Sequence, residues 1–135
     1  MQKLLSTLFV ILVFSIANLY ASNTKKGLVT HVNQGFDVAT IKNGLLQKLI
    51  PALGLTDEQK PQITALLTDY LGNKAKILPL LQTGKQALYQ TKQTALFNEL
   101  KMKLNGVLLL SQMNKLMALK PPTNDALNVL SHLFY

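Results

Sequence analysis

The chain has 135 residues, no cysteine and a formal charge of +8, and all fourteen of its basic residues are lysine. Without cysteine there is no disulfide framework, no thiolate metal site and no thiol chemistry. Without arginine the side chain best suited to bidentate phosphate and guanine contacts is missing, so no nucleic acid is expected. The lysine excess instead favours acidic proteins, polyanions or lipid headgroups.

Lys3 followed by the apolar run Leu4 to Ile16, broken only by Ser6, Thr7 and Ser15, reads as a secretory signal. It occupies residues 1–21, with cleavage expected after Ala17 or, with a poorer fit at Leu19, after Ala21. The run is shorter than the ~20 residues a membrane span needs. No Asn-x-Ser/Thr sequon occurs, which suits a bacterial periplasm. Cleavage removes Lys3 and no acid, lowering the formal charge from +8 to +7. Residues 22–37 are polar with no sustained period and are expected to form a flexible arm. Residues 38–135 then make a single helical domain of ordinary small-domain size.

The first helix is expected over Val38 to Ile50, with Ile41, Leu45, Leu46 and Leu49 at helical spacing and Pro51 and Gly54 closing it. Leu55-Thr56-Asp57-Glu58-Gln59 opens the second by a capping box. The Thr56 hydroxyl accepts from the backbone three residues on, and the Gln59 side chain reaches back to the Thr56 N–H. Asp57 and Glu58 suit the positive end of the helix dipole. Ile63, Leu66, Leu67, Tyr70, Leu71, Ile77 and Leu78 share one arc, so this helix is expected to run to about Leu78 and stop at Pro79, with Leu80 to Gly84 a loop.

A third helix is expected from about Lys85 to Leu108, with Tyr89, Leu96, Phe97, Leu100, Leu104, Val107 and Leu108 on one side and Glu99 paired with Lys103. Ser111 is the expected cap of a fourth helix reaching Leu119, with Met113, Leu116 and Met117 inward and Met102 of the third helix left exposed. After Lys120-Pro121-Pro122, Thr123 or Asn124 is expected to cap a last helix bearing Leu127, Val129, Leu130, Leu133 and Phe134. No alternating strand pattern competes, so the expected fold is all-α: four to five helices in a small bundle or curved helical hairpin.

Leu55-Thr56-Asp57-Glu58-Gln59, followed by Ile63 and Leu66, resembles the LTxxQ motif of the Spy/CpxP family of periplasmic stress proteins. That family carries a second copy after a long helix. Here Leu110-Ser111-Gln112-Met113-Asn114 stands at that place, with Ser for Thr and Asn for Gln. The resemblance implies an all-helical protein that dimerises into a thin curved cradle and binds unfolded proteins or senses envelope stress.

On the third helix, Lys85, Lys92 and Lys103 fall within ~20° of one another at ~100° per residue, beside the apolar arc of Tyr89, Leu96 and Leu100. These six residues are the candidate client-binding surface, with lysine stems covering apolar area and ammonium heads free to meet an acidic client. His31 and His132 are the only imidazoles and sit in no metal-binding spacing, and most of the carboxylates have local structural explanations. No catalytic group, metal or cofactor is expected. The expected function is that of a non-enzymatic, ATP-independent periplasmic chaperone or stress protein. The alternatives are a structural or assembly factor of the cell envelope, or a membrane-surface binder using its lysines with Phe134 and Tyr135.

Overall fold

The computed structural model describes residues 35–135, so the stretch expected to be a signal, His31 and nearly all of the expected N-terminal arm lie outside the described residues. Six helices follow in order: α1 Val38–Leu53, α2 Gln59–Ile77, α3 Pro79–Gln82, α4 Gln86–Asn105, α5 Leu110–Ala118 and α6 Ser131–Phe134. No strand occurs among the described residues, which form an all-α bundle of four main helices and two single turns.

In α1, Ile41, Leu45, Leu49 and Leu53 recur every four residues and are all buried, which fixes the face turned to the core. The helix does not close at Pro51 as expected. Pro51 and Gln47, the residue whose carbonyl loses its partner, both lie on the exposed side, where water can replace the missing bond. The stop comes at Gly54, whose φ of 62° only glycine adopts without strain. The Leu55 N–H then reaches back to the Ile50 carbonyl at 3.1 Å, the six-to-one bond of a Schellman ending.

α2 and α4 form an antiparallel hairpin, since Gln59 at the start of α2 contacts Val107 just beyond α4 while Tyr70 meets Gln93 midway. Between them, the stretch expected to be loop contains α3. Pro79 is its first residue, where the absent N–H is one the helix start would not use. Gly84, with φ of 72°, then turns the chain into α4.

α1 packs on α2 and α5, and the C-terminal stretch lies against α2 at Tyr70 and against α4 at Phe97. Leu45, Ile63, Leu67, Leu71, Leu116 and Leu133 form the fully buried centre. The expected last helix is mostly absent, and Leu127, assigned to its apolar side, is 95% exposed. Two side chains compete with helix here. Asp125 Oδ1 accepts from the Leu127 N–H at 2.9 Å and Asn128 Oδ1 from the Leu130 N–H at 3.1 Å, both turn-forming bonds.

Candidate functional site

The first motif forms the capping box expected of it. Gln59 N–H donates to Thr56 Oγ1 at 3.2 Å, and Thr56 N–H donates to Gln59 Oε1 at 3.1 Å. The cap of the Leu110–Ala118 helix lies two residues earlier than the expected Ser111. The N-cap of α5 is Leu109, with extended backbone, and Gln112 is the residue that reaches back, accepting from the Leu109 N–H at 2.9 Å. Ser111 and Leu110 are therefore inside the helix and cap nothing. The residues that stand to α5 as Leu55 to Gln59 stand to α2 are Leu108-Leu109-Leu110-Ser111-Gln112, in which Leu109 has no oxygen to complete the box. Ser111 misled because hydroxyl residues are good caps wherever they occur, whereas the signal that persists is Leu-x-x-x-Gln followed by a core residue, Ile63 in one copy and Leu116 in the other.

The two glutamines, 53 positions apart, bond to each other. Gln59 Nε2 donates to Gln112 Oε1 at 2.8 Å, and Gln112 Nε2 donates to Gln59 Oε1 at 3.0 Å. Gln59 Nε2 also donates to the Val107 carbonyl at 2.9 Å, while Gln112 Nε2 reaches the carbonyls of Leu53 and Gly54, both at 3.3 Å. Each oxygen thus takes one backbone N–H and one amide, and each nitrogen gives to one amide and to backbone carbonyl. This leaves no orphan polar atom in a partly buried place. The pair ties the α1–α2 loop to the α4–α5 loop.

The six candidate client-binding residues separate into two groups. Tyr89 and Leu100 are buried and face the core, so they are not part of a surface. Lys85, Lys92 and Lys103 are exposed, and Leu96 is half-buried. Lys92 and Leu96 line an open groove of about 360 Å³ between α2 and α4, together with Asn73, Lys76, Ile77, Ala95 and Glu99. Lys85 stands at the N-cap of α4. Lys103 is partly neutralised by a 2.7 Å ion pair with Glu99, which with the more distant Asp69 holds its ammonium above the usual range. Ile77, expected on the apolar arc of the second helix, and Lys76, which no sequence pattern marked, lie outside the rim expected on the third helix, because the groove takes a wall from each of two helices. Of the methionines, Met113 is buried and Met102 exposed as expected, but Met117 is 38% exposed rather than inward.

A second polar cluster, which the sequence reading missed, holds the end of the chain. The Tyr70 hydroxyl donates to the Leu133 carbonyl at 2.7 Å and accepts from Gln93 Nε2 at 2.6 Å. Lys74 Nζ donates to the His132 carbonyl at 2.7 Å, and the Tyr89 hydroxyl donates to the Tyr135 backbone oxygen at 3.1 Å. Phe134 packs against Phe97 with ring centroids 5.4 Å apart, and the Tyr135 hydroxyl donates back to the Pro121 carbonyl at 2.7 Å. Thus the terminal Leu133 and Phe134 are packed rather than displayed for a membrane. Burial pushes the Lys74 ammonium down to about 8, pushes the Tyr70 and Tyr89 phenols up, and, with Lys74 nearby, lowers His132. The signal for Lys74 was its phase, ~20° from Ile63 at ~100° per residue, which puts it in the middle of the apolar arc.

Among the described residues no group of three His, Cys, Asp or Glu side chains is placed to hold a metal, and no helix is long and apolar enough to cross a membrane. Comparison with protein-family models, with curated proteins and with solved structures found no match to this chain.

Proposed function

We propose that the protein is a non-enzymatic, ATP-independent chaperone of the bacterial cell envelope, of the Spy/CpxP kind, that holds unfolded acidic segments in the groove between α2 and α4. The observation that carries this reading is the groove itself: Ile77, Ala95 and Leu96 offer apolar floor, while Lys76 and Lys92 stand on opposite walls. Such a surface captures by shallow apolar contact, speeds encounter by charge, and releases readily because nothing encloses the ligand. The pairing of Gln59 with Gln112 supports the family resemblance, because it makes the two motif copies one structural unit.

The test is suppression of aggregation of an unfolded, net-negative client without nucleotide. Lys76→Glu with Lys92→Glu should slow capture, and raising salt from low to physiological strength should weaken it, as exposed charges are screened beyond ~8 Å. Leu96→Ser should lower the part of binding that survives salt. No protection of several clients at excess chaperone would remove the reading. Protection untouched by all three substitutions would move the surface elsewhere.

A further inference from the structure

We infer that the cradle of Tyr70, Lys74, Tyr89, Gln93 and Phe97 is a second peptide-binding site, occupied in cis by residues 131–135, whose ligand in trans is an amphipathic acidic segment. This site is separate from the α2–α4 groove, and peptide binding reads it whether or not the protein protects clients.

The way the cradle holds its own chain is the basis. Its three donors, the Tyr70 and Tyr89 hydroxyls and Lys74 Nζ, all go to backbone oxygens of the last turn, of Leu133, Tyr135 and His132. Backbone carbonyls are common to every peptide, so these donors recognise a helical turn and not a particular side chain. Sequence enters through the apolar contacts, with Leu133 and Phe134 buried and Phe134 on Phe97. Any turn presenting two such apolar residues meets the same requirements.

The resident segment fills the site imperfectly. Lys74 is buried, yet among the described residues no carboxylate pairs with it, and its ammonium meets a carbonyl and, at 6.0 Å, the Tyr70 ring. Gln93 is equally buried, and its Oε1 has no hydrogen-bond partner. A buried cation without an anion and a buried acceptor without a donor both weaken an association. The tether is exposed over residues 122–127 and is not helical, so the cost of lifting the segment lies in uncovering Leu133 and Phe134, a cost that an incoming turn with two apolar residues offsets. An incoming segment with a carboxylate at the place of His132 answers the first defect, since that position already feels the Lys74 charge. Charge complementarity therefore favours an acidic ligand over the resident one.

A cysteine-free chain allows a clean test. A Cβ on Gly44 would stand 3.7 Å from the Val129 Cβ, within the ~3.5–4.5 Å a disulfide spans, so Gly44→Cys with Val129→Cys staples the segment beside its cradle. The probe is a labelled peptide of residues 125–135 carrying His132→Glu, compared with the unaltered peptide. The reduced full-length protein should bind the probe and the oxidised protein should not. Full-length Phe134→Asp, with its latch loosened and its helicity checked by circular dichroism, should bind about tenfold more tightly, as the competing closed state is removed. Lys74→Met should erase the preference for the glutamate peptide. Equal binding by oxidised and reduced protein, or no binding by the Phe134→Asp chain, would overturn the inference. Oxidation to covalent dimers in place of closed monomers would also overturn it, by showing that the occupant in trans is a second copy's own segment.

Discussion

Gln59 and Gln112 each complete the other's hydrogen bonding, and neither can be removed without stranding its partner between two loops. Gln59→Ala and Gln112→Ala should each cost about 1–3 kcal/mol, the range for leaving a buried polar group unpaired. The double substitution should cost clearly less than the sum. A double-mutant cycle by urea denaturation measures this, and additive losses would show the pair to be two independent caps.

The two caps differ in a way that substitution can reverse. Thr56→Ala should lose about 0.5–2 kcal/mol with the cap hydroxyl. Ser111→Ala, away from any cap, should stay within about 0.5 kcal/mol of wild type. Leu109→Ser should be stabilising, because Leu109 is 66% exposed and already has the extended backbone of an N-cap, so a hydroxyl there completes the half-formed box. Thermal or urea melting of the three variants checks the order.

Stability should rise between about pH 8 and pH 10. In that interval the unfolded chain keeps a proton on Lys74, with its ordinary value of 10.5, that the native chain has given up at about 8. The unfolded state therefore binds more protons, and the gain is at most roughly 3 kcal/mol. Above pH 10 the sign reverses. Tyr70 and Tyr89, raised by burial, stay protonated in the native state while the unfolded phenols ionise. On the acid side, His132 is lowered by burial and then by Lys74, so stability falls as pH drops below about 6.5 and the unfolded imidazole takes up a proton. Urea midpoints across pH should peak near 10, and Lys74→Met should flatten the rise from 8 to 10.

Two helical glycines should respond oppositely to alanine. At Gly72 a Cβ meets nothing within 4 Å, so Gly72→Ala should gain up to about 1 kcal/mol from helix propensity. At Gly44 a Cβ would lie 3.0 Å from Val129 Cγ2, and the same gain should be cancelled or reversed by crowding. Adding Val129→Ala should restore it. Denaturation of the single and double variants decides.

Much of this fold is legible in the chain because periodicity and capping are local. Ile63, Leu67 and Leu71 announce α2, and Thr56 with Gln59 announces its start. What was not legible has more than one source. Pro51 reads as a stop in the sequence although it and Gln47 face solvent, and Leu127 reads as core although the neighbouring Asp125 and Asn128 side chains hold the backbone around it in turns. Tyr89 and Leu100 were put on a surface that the return of the C-terminal stretch and the packing of α2 bury. The groove was half visible, through Lys92 and Leu96, since its other wall comes from α2.

The amide pair closes a loop of more than fifty residues in a chain that has no thiol. A cystine placed there would have to wait for an oxidant and would open to a reductant. Two glutamines need neither, so closure proceeds at the pace of folding and is indifferent to redox potential. The same native structure is therefore within reach in a reducing compartment and in an oxidising one. Material produced without passage through an oxidising compartment should be equivalent to material that has been held in one.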